Sequence, residues 1–500
     1  MYSPPDPALS DATCARLRDA LLGEGFTTTG VRDLLGDGAH AALTRGELEA
    51  PDRATRDAGG LGSLVRLFLL GGTEAAPPLP DVDALVAGGL LTRTPDGLRA
   101  AMDLRPYGED SGSVGGDHTD WYVLSDLDSP ASRQDRDHVT GVGGASLTLA
   151  SSLVRTPVAD LLDLGTGCGV QALHASRFAT LVTATDIAPR ALATARATLA
   201  LSGVTNVELV EGPWLEPVAD RRFDAIVSNP PFVPGPARVD YVYRDSGQAG
   251  DAALAGLLRD LPGRLRPGGR AQLLGSWLHV RGEDWPDRVR GWIPPGCDAW
   301  IVQREVTDPA LHVGTWQRDA GLDLGAPASR AAAGAWLDWL EAERVEAVGF
   351  GFLLLRVVPD GRAPEIVIED LQGELADPLH LEMAGWLDRV DWLRTHASDR
   401  ALLGARLALS PSATLERYSV AGTDGWSDAG TAVVLADGPQ WRHEIDEPAA
   451  ALLAGCSGAL PLEELVALLS FAHDRPADEL VRAALPAVRE LLRHGVLLPA

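Results

Sequence analysis

Apolar and polar positions change their rhythm along the 500 residues, and three regions separate on that basis. In the first, up to about residue 130, Leu17, Leu21 and Leu22 recur at helical spacing behind Ser10 and stop at Gly23, which predicts a capped helix. Val65, Leu67, Phe68 and Leu69 form an apolar patch closed by Gly71-Gly72. A helix over Asp81 to Ala87, a Gly88-Gly89 stop, a strand over Leu90 to Arg93 and a turn at Thr94-Pro95-Asp96-Gly97 follow. Helix, glycine, strand and turn in that order look like the end of a winged helix.

The middle region alternates short buried strands with helices. Predicted strands are Asp160–Leu164, Leu181–Asp186, Val207–Val210, Phe223–Ser228, Arg270–Leu274 and Gly349–Val357, with helices at Pro189–Ser202 and Ala252–Leu265. Such alternation implies a parallel sheet covered on both faces, with its functional loops at the strands' C-terminal edge. The third region follows Pro359-Asp360-Gly361 and combines a β-rich stretch with helices at Leu462–Ala472 and Ala477–His494. The passage from Leu491-Leu492 to Val496-Leu497 echoes that from Leu85-Val86 to Leu90-Leu91; two related modules or two unrelated helix caps explain it. The expected fold class is α/β: a doubly wound Rossmann-like sheet (131–360) between a mainly helical, winged-helix-like N-terminal domain (1–130) and an α+β C-terminal domain (361–500) with a winged-helix-like end.

Composition narrows the chemistry. Forty-three basic against seventy acidic residues give a net charge of −27, which argues against a sequence-blind polyanion binder while leaving room for a local basic groove. Lysine is absent from the sequence, so Schiff-base and lysine general-base chemistry are excluded. Cys14, Cys168, Cys297 and Cys456 are too scattered for a zinc ribbon or a disulfide framework, and no metal is expected. The segment from Met1 to Leu9 lacks the basic-then-apolar pattern of an export signal, and no apolar run is long enough to span a bilayer. A cytoplasmic protein with no membrane partner is the expectation.

Two motifs carry chemistry. A predicted strand ends in Asp163-Leu164-Gly165-Thr166-Gly167-Cys168-Gly169 and leads into the helical Val170–Phe178. Alternating glycines let the backbone turn sharply and approach a ligand. The spacing Gly-x-Gly-x-Gly departs from the dinucleotide fingerprint, and Asp163 can attract a cation where a pyrophosphate would be repelled. The next strand ends in Asp186, suited to accept two ribose hydroxyls. A ligand with a ribose and a positive charge but no phosphate matches S-adenosylmethionine. Glycines that merely shape a turn are the plainer alternative. The second motif is Asn229-Pro230-Pro231-Phe232 at the end of a fourth strand. Prolines cannot continue a central strand, so the chain leaves the sheet there with φ fixed; alone, the motif would be no more than a rigid turn.

With these motifs the chain resembles the class I methyltransferases, and most closely the HemK-like type that methylates glutamine amides in release factors. Ile187-Ala188-Pro189-Arg190-Ala191-Leu192, Arg244-Asp245-Ser246-Gly247 and Leu265-Arg266-Pro267-Gly268-Gly269 carry the resemblance, and Val139 to Thr148 stands where relatives have a loop that closes over the cofactor. The resemblance implies S-adenosylmethionine held by Asp163, Gly165, Thr166, Gly167, Asp186, Ile187 and Trp214, with Asn229 beside it. It also implies that Asn229 and Pro230 accept the two N–H bonds of a planar –NH₂ group while Pro231 stiffens the turn and Phe232 stacks on the acceptor. Two departures stand out. Pro213 replaces an acidic residue that reads adenine in many relatives, leaving Trp214 to pack there. Phe232 stands where glutamine-methylating relatives more often have tyrosine; phenylalanine is usual in related ribosomal-RNA guanine methyltransferases. The flanks resemble those of actinobacterial methyltransferases. The acceptor so implied is a protein glutamine in a release-factor-like partner; the alternatives are an exocyclic base amine in RNA, and a winged-helix sensor that binds S-adenosylmethionine without catalysis. His138 and Cys168 read as structural, and Trp121-Tyr122, Trp336, Trp339 and Trp441 as packing anchors.

Overall fold

The computed structural model describes residues 6–108, 120–359, 362–371, 375–423 and 425–500. Met1–Pro5 of the N-terminal segment, and Asp360 and Gly361 of the expected inter-domain turn, lie outside the described residues. Contacts divide the chain into two compact units, residues 1–150 with 157–369 and residues 151–156 with 370–500.

The first unit is built on an eight-stranded sheet. Its strands are β1 (Val158–Leu164), β2 (Ala179–Asp186), β3 (Val207–Glu211), β4 (Phe223–Ser228), β5 (Leu265–Val280), β6 (Cys297–Thr307), β7 (Val345–Val357) and β8 (Ile366–Asp370). Five helices of this unit matter below: α1 (Val170–Ala175), α2 (Pro189–Leu201), α3 (Ala252–Asp260), α4 (Pro309–Asp319) and α5 (Pro327–Ala342). The order across the sheet is β8-β6-β7-β5-β4-β1-β2-β3. Strands β1 to β5 pair in parallel, whereas β7 runs antiparallel to both β5 and β6. The chain moves outward from β1 through β3 and returns to β4 on β1's other side, so the direction of winding reverses between β1 and β4. Open α/β sheets bind ligands at that reversal. Register sharpens the point: Leu164 lies opposite Thr185 of β2 and Ser228 of β4. Three strands therefore end level, and the loops that follow them leave the sheet side by side.

The mixed α/β class with a large, mostly parallel sheet is as expected. Several boundaries differ. The helix expected to run to Leu265 stops at Asp260 and tightens into a 3₁₀ turn over Leu261–Arg264, where Pro262 and Gly263 cannot sustain an α-helix. The strand expected at Arg270–Leu274 is the middle of a sixteen-residue strand. Cys297–Thr307 and Ile366–Asp370 were not anticipated as strands.

Residues before 131, read above as an accessory domain, build one core with the sheet's own helix. Leu17, Leu21, Phe26, Phe68 and Tyr122 cluster with Ala197 and Leu201 of α2. The Tyr122 hydroxyl donates to the Phe26 carbonyl at 3.0 Å, and the Leu124 amide donates to Thr198 Oγ1 of α2 at 3.1 Å. Ser10 caps its helix as predicted, accepting from the Thr13 amide, and the helix runs Asp11–Gly23. The expected turn joins strands Leu91–Thr94 and Gly97–Ala100.

The second unit is α+β. One small sheet pairs Arg406–Leu409 with Ser457–Pro461 and Leu497–Pro499. Another joins Ala413–Gly422, Gly425–Leu435 and Arg442–Ile445. Helices Leu462–His473 and Ala477–Arg493 stand where the periodicity placed them, and Gly495, with φ at +74°, ends the last one.

Candidate active site

The loop after β1 is pinned by backbone. The amides of Gly165 and Thr166 both donate to the Thr185 carbonyl at 2.9 Å. The Gly167 amide donates to Asp186 Oδ2 at 3.0 Å, while the Ala188 amide donates to Asp186 Oδ1 at 2.9 Å. Gly165 and Gly167 hold φ at +75° and +55°, and a Cβ on either would point into open space. The glycines are needed for the turn, and the space beside them is available to a ligand.

That space is a cavity of about 370 Å³, a size usual for small-molecule sites. Gly165, Thr166, Gly167, Asp186, Ile187, Trp214, Asn229, Pro230 and Pro231 all stand in its wall. Trp214 follows β3 with φ at +48° and packs against the core cluster containing Leu215 and Phe223; Pro213 lies beside it in the wall.

Asp163 does not reach the cavity. It is fully buried, and Thr166 Oγ1 donates to its Oδ2 at 2.6 Å. The pleat explains this: Leu162 and Leu164 enter the apolar cluster, which turns Asp163 to the other face, beneath the loop. Burial pushes its carboxyl up to about 7, with the charge of Asp186 adding and the Thr166 bond opposing. It supports the loop from below. Cys168 is buried too, and burial pushes its thiol up to about 12, which leaves it an inert filler.

Phe232 lies beyond the wall of the first cavity, in that of a second of about 420 Å³. Its ring centroid is 5.3 Å from Phe350 and 6.3 Å from Trp316. The walls of the two cavities share His138, Thr140, Ser146, Asn229, Pro230 and Tyr243, so these six residues form a neck between them. Asn229 Oδ1 is buried there with no hydrogen-bond partner. An unpaired buried acceptor is costly, and this one stands where a donor on a ligand could satisfy it. Ser228, one residue earlier, donates its hydroxyl to the Leu164 carbonyl at 2.7 Å and locks the end of β4 to that of β1.

Asn229, Pro230, Thr140 and Ser146 fall in segments that the sequence already marks, whereas Tyr243 has no local signal there. His138 was set aside as structural; its Nδ1 lies 3.2 Å from Ser132 Oγ and 3.7 Å from Asp126 Oδ2. Burial lowers its pKa, with Asp126 opposing, so it is neutral at pH 7. Burial pushes the Tyr243 phenol up to about 12, so it stays protonated. The segment around Val139–Thr148 does supply wall residues, Val139, Thr140 and Ser146 among them. Gln171 Nε2 of α1 donates to the Ser146 carbonyl at 2.8 Å, tying that segment to α1.

The donor set suits S-adenosylmethionine. Asp186 keeps lone pairs for ribose hydroxyls after accepting its two amides. Thr185 Oγ1 and Asn229 Oδ1 are buried polar atoms without partners beside the cavity. Asp137 and Asp186 in the wall, set against Arg136, favour a cation, while Asp245 is paired with Arg244.

The family model and the sequence relatives agree with this site. Residues 140–256 match the model of the Methyltransferase small domain. Residues 23–101 and 384–499 match two models described as Domain of unknown function (DUF7059 and DUF7782). A release factor glutamine methyltransferase from Deinococcus radiodurans is 35% identical over 185 residues, 32% of this chain and 63% of that protein. One from Cereibacter sphaeroides is 36% identical over 138 residues, 25% of this chain and 49% of that protein. The chain thus spans less than two thirds of the length of these relatives. Among solved structures, a methyltransferase from Pyrococcus furiosus aligns with 42% of this chain and 81% of its own, at 18% identity and a TM-score of 0.26.

Proposed function

We propose that this chain, whose residues 140–256 are a methyltransferase small domain, transfers a methyl group from S-adenosylmethionine to the planar –NH₂ nitrogen of a protein glutamine side chain. The observation that carries the reading is Asn229 Oδ1, a buried acceptor without a partner in the neck between two cavities. The first cavity is assigned to the cofactor and the second to the acceptor. Asp186, Gly165, Gly167, Ile187 and Trp214 would hold the cofactor, with Asp163 and Thr166 bracing the loop. S-adenosylmethionine supplies an electrophilic methyl when bound.

An amide nitrogen is a poor nucleophile because its lone pair is delocalised. Asn229 Oδ1 and the Pro230 carbonyl accept its two N–H bonds, aim the lone pair into the neck and favour the positive charge that develops on nitrogen. Pro231 fixes the turn, and Phe232 offers a flat face beside Trp316 and Phe350. The proton then shed needs a base. His138 and Tyr243 are the titratable residues of the neck, and only the neutral imidazole of His138 can take it up near pH 7.

The glutamine-methylating relatives and the acidic balance of the chain favour a protein acceptor, of the release-factor type, in the cytoplasm. No helix among the described residues is long and apolar enough to cross a membrane. The flanking segments 1–130 and 361–500 are assigned to docking that substrate. Phe232, in place of tyrosine, favours the second reading, an exocyclic amine of RNA; the acceptor-side wall sets Arg105, Arg133 and Arg244 against Asp103, Asp126, Asp128 and Asp319, so it offers a phosphate backbone no net positive charge.

Radiolabelled S-adenosylmethionine with host lysate tests the reading, with protease- and RNase-treated controls and an Asn229→Ala blank. Protease-sensitive label absent from the blank is expected. RNase-sensitive label would replace the substrate and keep the mechanism. Cofactor binding with no label in any fraction would leave the sensor reading.

A further inference from the structure

The second unit carries a side-chain cluster that methyl transfer does not use. His443 lies in the strand Arg442–Ile445, and Glu490 and His494 lie one helical turn apart at the end of the helix Ala477–Arg493. One ligand-type atom from each of the three falls within 4.8 Å of the other two. His443 Nε2 and His494 Nδ1 are 3.0 Å apart. Glu490 Oε1 is 3.8 Å from His443 Nδ1. Trp441 stacks flat on His494 at 3.8 Å between ring centroids.

We propose that His443, Glu490 and His494 bind one divalent transition-metal ion of the zinc class, with water completing the coordination. The nitrogen spacing fits. Two imidazole nitrogens on one ion at about 2.0–2.1 Å sit roughly 2.9–3.4 Å apart over the angles from octahedral to tetrahedral. Two neutral imidazoles and a carboxylate are a donor set suited to zinc, and the carboxylate offsets half of the ion's charge. Burial is graded in the right way for such a site. His494 is 7% exposed and the His443 side chain 14%, whereas the Glu490 side chain, at 57%, is free to swing the short distance onto an ion. Trp441 shields the inner side, where a lower dielectric strengthens the bonds. The alternative is a hydrogen bond between the two imidazoles, in which Glu490 has no part. A metal here would clamp the last helix to a strand nearly fifty residues earlier, stabilising the native fold by mass action. Scattered cysteines gave no hint of this site because its ligands are two histidines and a glutamate separated by that loop.

The test uses the untagged full-length chain, stripped with a chelator and titrated with zinc alone in a calorimeter, then with cobalt(II) read by visible absorption. One equivalent of zinc is expected, with nitrogen–oxygen ligand bands for cobalt and a rise in melting temperature on zinc addition. His443→Gln and His494→Gln should each weaken binding roughly 100-fold, and Glu490→Gln about tenfold. Glu490→Gln changes an exposed side chain, so it reports on binding even if a histidine variant folds poorly. No bound equivalent, or binding unchanged in Glu490→Gln and in whichever histidine variants fold, would overturn the site and leave a hydrogen-bonded imidazole pair.

Discussion

The two cavities that meet at Asn229 are built in opposite ways. The first, assigned above to the cofactor, is mostly backbone: three level strand ends, a glycine turn and a carboxylate held by amides. The second, assigned to the acceptor, is mostly side chains, drawn from segments around Asp103, Asp128, Arg133, Phe232, Arg244 and Asp319. A backbone site depends on topology and tolerates change in most surrounding residues. A side-chain site depends on which residues the fold happens to bring together, so it is the part that can be retuned for a different acceptor.

If that division holds, substitutions should move one ligand's parameters at a time, and only the neck should uncouple chemistry from both. Asn229→Ala should give the largest effect, a loss of methyl transfer of roughly 100- to 1,000-fold, with S-adenosylmethionine affinity within a few-fold of wild type. A parallel fall in cofactor affinity, measured by calorimetry, would move Asn229 from the neck to the cofactor wall. Gly167→Ala comes next. It places a methyl group in the open space beside the loop and strains a residue at φ +55°, so cofactor affinity should fall about tenfold or more, while the acceptor's KM at saturating cofactor stays put. Phe232→Ala is the mirror experiment: the acceptor's KM should rise by roughly tenfold with cofactor affinity unchanged. If Phe232→Ala weakened the cofactor instead, the division of labour between the cavities would be wrong.

The same contrast decides what could be read from the sequence. Gly165 to Gly167, Asp186 and Asn229 to Phe232 lie in short contiguous runs, each at a strand end, and local pattern suffices for those. Parallel pairing of β1, β2 and β4 is implied once the strands are identified, but the register that brings Leu164, Thr185 and Ser228 level is set by the packed fold. The acceptor wall was not legible, because Asp103 and Asp319 are 216 residues apart (319 − 103) and nothing local links them. Nor was the shared core of the N-terminal residues and α2, which rests on Tyr122, Ala197 and Leu201 meeting at long range. Strand β6 escaped notice because its apolar half, Ala299 to Val302, gives way to the polar run Gln303-Arg304-Glu305 midway.

Asp163 tests the smallest consequence of the division, since a residue that braces the loop from below should show itself in stability more than in ligand contact. Its folded-state pKa, pushed up to about 7 by burial, lies well above the ordinary carboxyl value near 3.9. The native state therefore holds this proton more tightly than the unfolded chain. The linked stability is fully present below about pH 4, declines as pH rises toward 7, and is flat beyond it. Asp163→Asn keeps the shape and removes the titration. The stability of Asp163→Asn relative to wild type should therefore grow by about 1 kcal/mol between pH 6 and pH 8, read from denaturant midpoints of the two chains side by side. Titrating groups that do not interact with Asp163 cancel in that difference; Asp186, whose charge reaches it, adds a smaller change of its own. A gap that stays constant from pH 6 to pH 8 would mean that the carboxyl does not titrate in that range, and the bracing role drawn from its burial would lose its support.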